Sequence, residues 1–150
     1  MELRTLKTSK EIEAVYPVIR ELRQELSLGE YMSAIQLAQA ANNYTLVGMF
    51  NDNICLALIG FRWLTDLAHG KHLYVDDLVV VRSHRSRGLG ATLLRFAEQE
   101  ALRTNCRGLR LCTGVDNEGG KRFYERNGWL QRSVAYKKKL KPEQPALTEL

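Results

Sequence analysis

Asp77-Leu78-Val79-Val80-Val81-Arg82-Ser83-His84-Arg85-Ser86-Arg87-Gly88-Leu89-Gly90-Ala91-Thr92 is the stretch from which the fold of this chain is read. Leu78 to Val81 are four aliphatic residues in succession, the pattern of a strand covered on both faces and so set inside a sheet. The segment from Arg82 to Gly90 is basic and turn-forming, and Leu89, Leu93, Phe96 and Ala97 beyond it share one stripe of a helix. Strand, turn and helix in this order make an anion site. Glycine lets the backbone approach a ligand closely. The helix start offers unpaired N–H donors and roughly half a positive charge, and Arg85 and Arg87 add charge suited to phosphate.

Upstream, Gly70 precedes a strand over residues 71–81, whose last part is the run just described. Residues 44–50 and 54–64 read as a hairpin joined by the turn-prone Asn51-Asp52-Asn53. Residues 3–7 read as a short strand. Thr8 with Glu11 and Ser27 with Glu30 form two capping boxes, each placing a helix start. The first of these helices carries Ile12, Val15, Tyr16, Ile19 and Leu22 on one face, and Pro17 kinks or restarts it. Downstream come a short strand at 109–113 and a helix at 119–127 closed by Gly128. Residues 129–140 read as one bent strand or two short ones. Helices and strands are mixed, so the class is α/β or α+β around one sheet. A single domain is expected over 1–140, with 141–150 a flexible tail.

Composition agrees with that picture and excludes others. The chain has 150 residues, 45% apolar and 26% charged, which is ordinary globular usage rather than disorder or a collagen-like repeat. No apolar run approaches the roughly 20 residues that span a bilayer. Met1-Glu2-Leu3-Arg4 has no basic lead into an apolar segment, so a cytoplasmic protein without a membrane partner is expected. Cys55, Cys106 and Cys112 have no metal-type spacing and read as reduced thiols. His69, His72 and His84 likewise show no ligand spacing, and no metal is expected. The formal charge of +5 is compatible with a polyanion. A basic nucleic-acid-binding module is the alternative that Arg82, Arg85, Arg87 and Lys137-Lys138-Lys139-Lys141 suggest. No recognition helix or stacking strand accompanies them, so no nucleic-acid partner is expected.

The phosphate ligand can be narrowed. A nucleoside-triphosphate loop requires Gly-x-x-x-x-Gly-Lys-Ser/Thr, which is absent, and a dinucleotide fingerprint requires a third glycine where Leu93 stands. Arg85-x-x-Gly88-x-Gly90 instead resembles the acyl-coenzyme-A pyrophosphate loop of the GNAT superfamily of N-acetyltransferases. Asn117-Glu118-Gly119-Gly120-Lys121-Arg122-Phe123-Tyr124, continuing to Gly128-Trp129, resembles that superfamily's other signature, with Gly120 where alanine is commoner. The two motifs occur in order, separated by one strand, and the resemblance extends over about residues 2–140.

The resemblance implies a mixed, strongly twisted sheet of about six or seven strands with helices on both faces. Its two central parallel strands, here 74–81 and 109–113, splay apart to admit the pantetheine arm. It implies that the backbone of Leu78, Val79 and Val80 meets pantetheine, that Arg85, Ser86, Arg87, Gly88, Leu89, Gly90 and Ala91 hold the pyrophosphate, and that Asn117 and Tyr124 also touch the cofactor. Ser86 replaces a frequent glycine. The implied reaction moves acetyl from acetyl-coenzyme A to a primary amine by direct attack in a ternary complex. Tyr124 matches the position of the acid that protonates the departing thiolate, and Val80 N–H suits the developing oxyanion.

Strict alternation sends Asp76 and Asp77 to opposite faces. Asp76 is then the base on the substrate face and Asp77 binds loop backbone, unless a bulge swaps them. Glu21, Glu25, Glu30 and Tyr31 on one side, with Asp66 and His69 on the other, are candidates to line the acceptor site. The acceptor is a small-molecule or peptide amine. Members commonly form homodimers, often through the late strands, and a non-catalytic acyl-coenzyme-A sensor of the same fold is the remaining alternative.

Overall fold

The computed structural model describes residues 1–141. After β1 (Glu2–Leu6), the Thr8 hydroxyl accepts from Glu11 N–H while the Glu11 carboxylate accepts from Thr8 N–H, and α1 (Ser9–Ala14) begins there. Val15 ends it, and α2 (Tyr16–Leu22) restarts with Pro17 in its first turn, where a missing N–H costs nothing. Ser27 and Glu30 form the second reciprocal cap and start α3 (Leu28–Asn42).

β2 (Thr45–Asn51) and β3 (Ile54–Asp66) make the expected hairpin, with Asp52 at φ 55° in its turn. Then follow β4 (Gly70–Val80), a 3₁₀ turn (Arg82–His84), α4 (Leu89–Arg103), β5 (Gly108–Leu111) and α5 (Glu118–Arg126). Gly128 sits just beyond α5 at φ 88°, as a left-handed cap requires.

The five strands form one mixed sheet in the order β1-β2-β3-β4-β5, antiparallel except for the parallel β4–β5 pair. Period-two alternation divides its side chains between two cores. Leu46, Phe50, Leu58 and Val79 pack with Ile12, Ile19, Tyr31 and Ile35 beneath α1–α3. Val47, Met49, Ala57, Ile59, Phe61, Leu73 and Val75 pack with Leu89, Leu93, Leu94 and Ala97 beneath α4. Glu100, near the apolar stripe of α4, is held by Arg103 at 2.9 Å.

Two expectations are corrected. The sheet has five strands among the described residues, not six or seven, and β5 is its edge rather than a central strand. Residues 129–140 form no strand, although Leu130, Val134, Tyr136 and Leu140 have strand-like spacing. Those four side chains are exposed. A strand is completed by a partner's hydrogen bonds, and alternation alone does not supply one. The tail expected over 141–150 lies, apart from Lys141, outside the described residues.

One irregularity in β4 sets the direction of its acidic side chains. Across the β3–β4 hairpin Phe61 pairs with Val75 but Gly60 pairs with Asp77, so Asp76 is an extra residue on β4. Such a bulge reverses the side-chain alternation beyond it.

Candidate active site

β4 and β5 pair from His72↔Gly108 to Val75↔Leu111 and no further, while β4 runs on to Val80. Beyond Val75 its free edge opens a gap among the described strands. Val81 N–H donates to Leu56 O at 2.9 Å, toward β3. Alternation therefore turns the peptide groups of Leu78 and Val80 the other way, into the gap. Val80 O accepts there from Arg85 Nε at 3.2 Å. The side chains of Leu78 and Val80 pack on the α4 core and that of Val79 is buried beneath α1–α3, so main chain and side chains serve different ends.

The gap opens onto the start of α4. Gly88 stands there at φ 81°, and no side chain caps the helix. The donors of Leu89, Gly90 and Ala91 belong to a first turn that has no carbonyl partners of its own. Arg85, Ser86, Arg87 and Gly88 are exposed around it, whereas Leu89 and Gly90 are buried. Ser86 takes φ 62°, the conformation glycine adopts freely. Gly90 eases the packing of α5: a β-carbon there would stand 3.0 Å from Phe123 Cζ, which would have to give by a few tenths of an ångström. Asn117 caps α5, with Oδ1 accepting from Gly120 N–H and Nδ2 donating to Thr113 Oγ1, each at 3.0 Å. A methyl on Gly120 would press on that amide, which accounts for glycine at this position.

Along the gap lies a charged cluster. Asp76 accepts from Arg62 Nε at 2.9 and 3.2 Å. Asp77 accepts from Arg23 at 3.0 and 3.2 Å and from the Tyr44 hydroxyl at 2.7 Å, and Arg23 Nη2 also donates to Asp76 O. Burial raises the Asp76 carboxyl above the ordinary aspartate range, against the pull of Arg62. Burial also raises the Tyr124 hydroxyl, opposed by the charge of Arg23. Phe123 and Trp129 hold that ring edge-on, at 5.2 and 6.1 Å.

Several sequence expectations change here. Asp76 and Asp77 do not lie on opposite faces, because the extra residue puts both on the α1–α3 side. Asp77 binds Arg23 and Tyr44 rather than loop backbone. Tyr31 does not line an acceptor site: it is 2% exposed and its hydroxyl donates to Ile12 O at 2.6 Å. The Glu30 carboxylate closes the α3 cap, and that of Glu21 accepts from Arg82 N–H. Glu25 is exposed. Asp66 and His69 lie at the far end of β4, six or more residues from Asp76, or about 20 Å of strand. Arg23, Arg62 and Tyr44 were not singled out in the sequence. The available signal was the acid pair itself, since buried carboxylates require cationic or hydrogen-bonding partners.

The free edge of β4, an exposed turn carrying Arg85 and Arg87 and an α-helix start with no side-chain cap thus lie together at one place in the fold. The model of the acetyltransferase (GNAT) family matches residues 11–129, and the chain belongs to that family as an acyltransferase. An uncharacterised N-acetyltransferase of Bacillus subtilis is 27% identical over 139 residues, covering 92% of this chain and 98% of that one. An aminoalkylphosphonate N-acetyltransferase of Salmonella typhimurium is 25% identical over 143 residues, covering 89% and 88%. Among solved structures, an aminoglycoside N-acetyltransferase in complex with coenzyme A superposes with a TM-score of 0.78 at 15% identity, covering 91% of this chain and 93% of that one. No helix among the described residues is long and apolar enough to cross a membrane.

Proposed function

We propose that this protein transfers the acetyl group of acetyl-coenzyme A to a primary amine of a small molecule by direct attack in a ternary complex. One observation carries the reading: β4–β5 pairing ends at Val75, and the free edge of β4 leads to the uncapped start of α4. Family membership and the small amine for which a relative, the aminoalkylphosphonate N-acetyltransferase, is named support it. The pantetheine arm hydrogen-bonds the peptide groups of Leu78 and Val80 as an added strand would. The pyrophosphate rests on the backbone from Ser86 to Ala91, with Arg85 and Arg87 beside it. For Arg85 this means exchanging Val80 O for phosphate, which frees that carbonyl for the arm.

The amine nitrogen attacks the thioester carbon, the C–N bond forms and the C–S bond breaks. Asp76, as carboxylate, accepts the proton lost by the amine, directly or through water. Tyr124 gives its proton to the departing sulfur. Val80 N–H faces the oxygen on which charge develops. Asp77 acts one step removed: it fixes Arg23, whose charge lies beside both Asp76 and Tyr124. We assign the enzyme to the cytoplasm, with no nucleic-acid or membrane partner, and leave room for the homodimer common in the family.

The test is calorimetry with acetyl-coenzyme A, run beside a screen of polyamines, amino acids, aminoglycosides, aminoalkylphosphonates and peptides that reads released thiol. Tight cofactor binding with acceptor-dependent thiol release is expected. Cofactor binding with no acceptor would favour the sensor, and no cofactor binding would end the proposal.

A further inference from the structure

At the opposite end of β4 from the acyl gap, the β3–β4 hairpin brings together three residues that no catalytic step uses. Asp66 ends β3, and its Oδ1 accepts from His69 N–H at 2.7 Å, which folds the turn back on itself. His69 Nδ1 then lies 3.0 and 3.2 Å from the two Asp66 oxygens, and the His69 and His72 rings stand 5.2 Å apart. One carboxylate oxygen and one ring nitrogen from each histidine all fall within 4.8 Å of one another. The sequence showed no familiar ligand spacing here. Asp66-x-x-His69-x-x-His72 becomes a cluster only because a tight turn lies inside it.

His72 supplies the second observation. It is 1% exposed, yet its Nε2 has no hydrogen-bond partner. Its Nδ1 lies 2.9 Å from Gly70 O, and a carbonyl only accepts, so Nδ1 carries the hydrogen. In the neutral ring Nε2 then holds an unused lone pair. An imidazole fixed through its other nitrogen by a backbone carbonyl is the arrangement that metal-ligating histidines adopt.

We propose that Asp66, His69 and His72 bind a divalent transition-metal ion of the zinc type, with the fourth position left to water. Two imidazoles and a carboxylate are a donor set that zinc accepts. Ligand atoms about 2.0–2.1 Å from a tetrahedral ion stand roughly 3.3 Å from each other, so rotation of the two exposed side chains closes the site. The ion works against one neighbour. Arg110 Nη1 lies 3.3 Å from His69 Nδ1, and its guanidinium carbon lies 5.3 Å from the centre of the Tyr74 ring. A cation there opposes a second one, and Arg110 must turn away for the metal to enter. Lys71 donates to Thr104 O, and the Arg107 side chain packs against Gly70. Since His72 pairs with Gly108, the ion would brace the hairpin where the parallel β4–β5 pair begins.

The experiment uses the tag-free, chelator-treated full chain. Co²⁺ is titrated and its visible absorption read, Zn²⁺ binding is measured by calorimetry, and melting is followed with and without Zn²⁺. One ion per chain, intense tetrahedral Co²⁺ bands and a Zn²⁺-dependent rise in Tm are expected. His69→Ala and Asp66→Asn alter exposed side chains, and each should weaken binding at least tenfold and abolish the rise. Arg110→Gln should tighten it. No binding by the wild-type chain at millimolar ion, or equal binding by wild type and both weakening variants, would overturn the proposal. None of these readings depends on acetyl transfer.

Discussion

Asp76 and Asp77 are consecutive residues of one strand, yet both carboxylates lie on the same face of the sheet, each held by its own arginine. Ordinary alternation forbids this arrangement, and the extra residue on β4 opposite Gly60 and Phe61 permits it. Burial, helped by the charge of Asp77, lifts the Asp76 carboxyl. Arg62 and Arg23 offset part of that lift, as half-buried charges require.

The first prediction concerns pH. The proposed reaction uses Asp76 as a carboxylate, and its folded pKa is raised above the ordinary 3.8, mainly by burial. kcat/KM should therefore fall with acid through a limb higher than a solvated aspartate would give. Arg62 lowers that pKa, so Arg62→Gln should move the limb to higher pH, and Asp76→Asn should erase it with a loss of about 10²-fold or more. An unmoved limb in Arg62→Gln would remove Asp76 from the role of base.

A second prediction isolates the acid. Tyr124→Phe keeps the ring against Phe123 and Trp129 and removes only the proton donor. kcat should drop by about 10²–10⁴-fold while KM for acetyl-coenzyme A changes little. Burial raises this hydroxyl above its usual value of 10.0, so no loss of wild-type activity from its ionisation is expected below that pH. Full kcat in the variant would show that the thiolate leaves unaided.

The Tyr44 hydroxyl lies over Gly60, where any β-carbon would collide with it, and donates to Asp77 at 2.7 Å. Tyr44→Phe leaves that half-buried carboxylate with one donor fewer. A hydrogen bond to a charged group contributes about 1.5–3 kcal/mol, and a loss of that size is expected from urea unfolding at neutral pH. A difference near zero would mean that Arg23 alone satisfies Asp77.

Ser86 offers the opposite sign. At φ 62° a residue with a β-carbon is strained by roughly 1–2 kcal/mol, which glycine escapes at the cost of a freer unfolded chain. Ser86→Gly should thus leave Tm level or slightly raised and lower KM for acetyl-coenzyme A. A raised KM would show that the serine side chain itself holds the cofactor.

Gly90→Ala tests the joint between two helices. The added methyl would stand 3.0 Å from Phe123 Cζ, so that ring must give by a few tenths of an ångström and press on Tyr124 beside it. Lower kcat together with a lower Tm is expected. Wild-type values of both would show that Phe123 turns aside at no cost.

Much of this was legible because it is local. A capping box spans four residues, so Thr8 with Glu11 and Ser27 with Glu30 located two helix starts correctly. The Gly88 turn was legible for the same reason. Tyr31 shows the limit: tyrosine on an early helix suits a binding rim and a core equally, and only the distance to Ile12 O separates them. Arg23 and Arg62 carried no local signal, since they meet the acid pair across 54 and 14 residues of chain.

By itself the sequence determined whatever depends on neighbours in the chain: strand, basic turn and helix in succession, the caps, and the two signatures of an acyl-carrier enzyme. Tertiary structure alone decided how separate segments align. It placed the bulge at Asp76, stopped the parallel ladder at Val75 and Leu111, gathered Asp66, His69 and His72 at one turn, and kept residues 129–140 out of the sheet that the described residues form. The reason is physical: periodicity is a property of one segment, whereas register and pairing are settled only when two segments compete for the same hydrogen bonds.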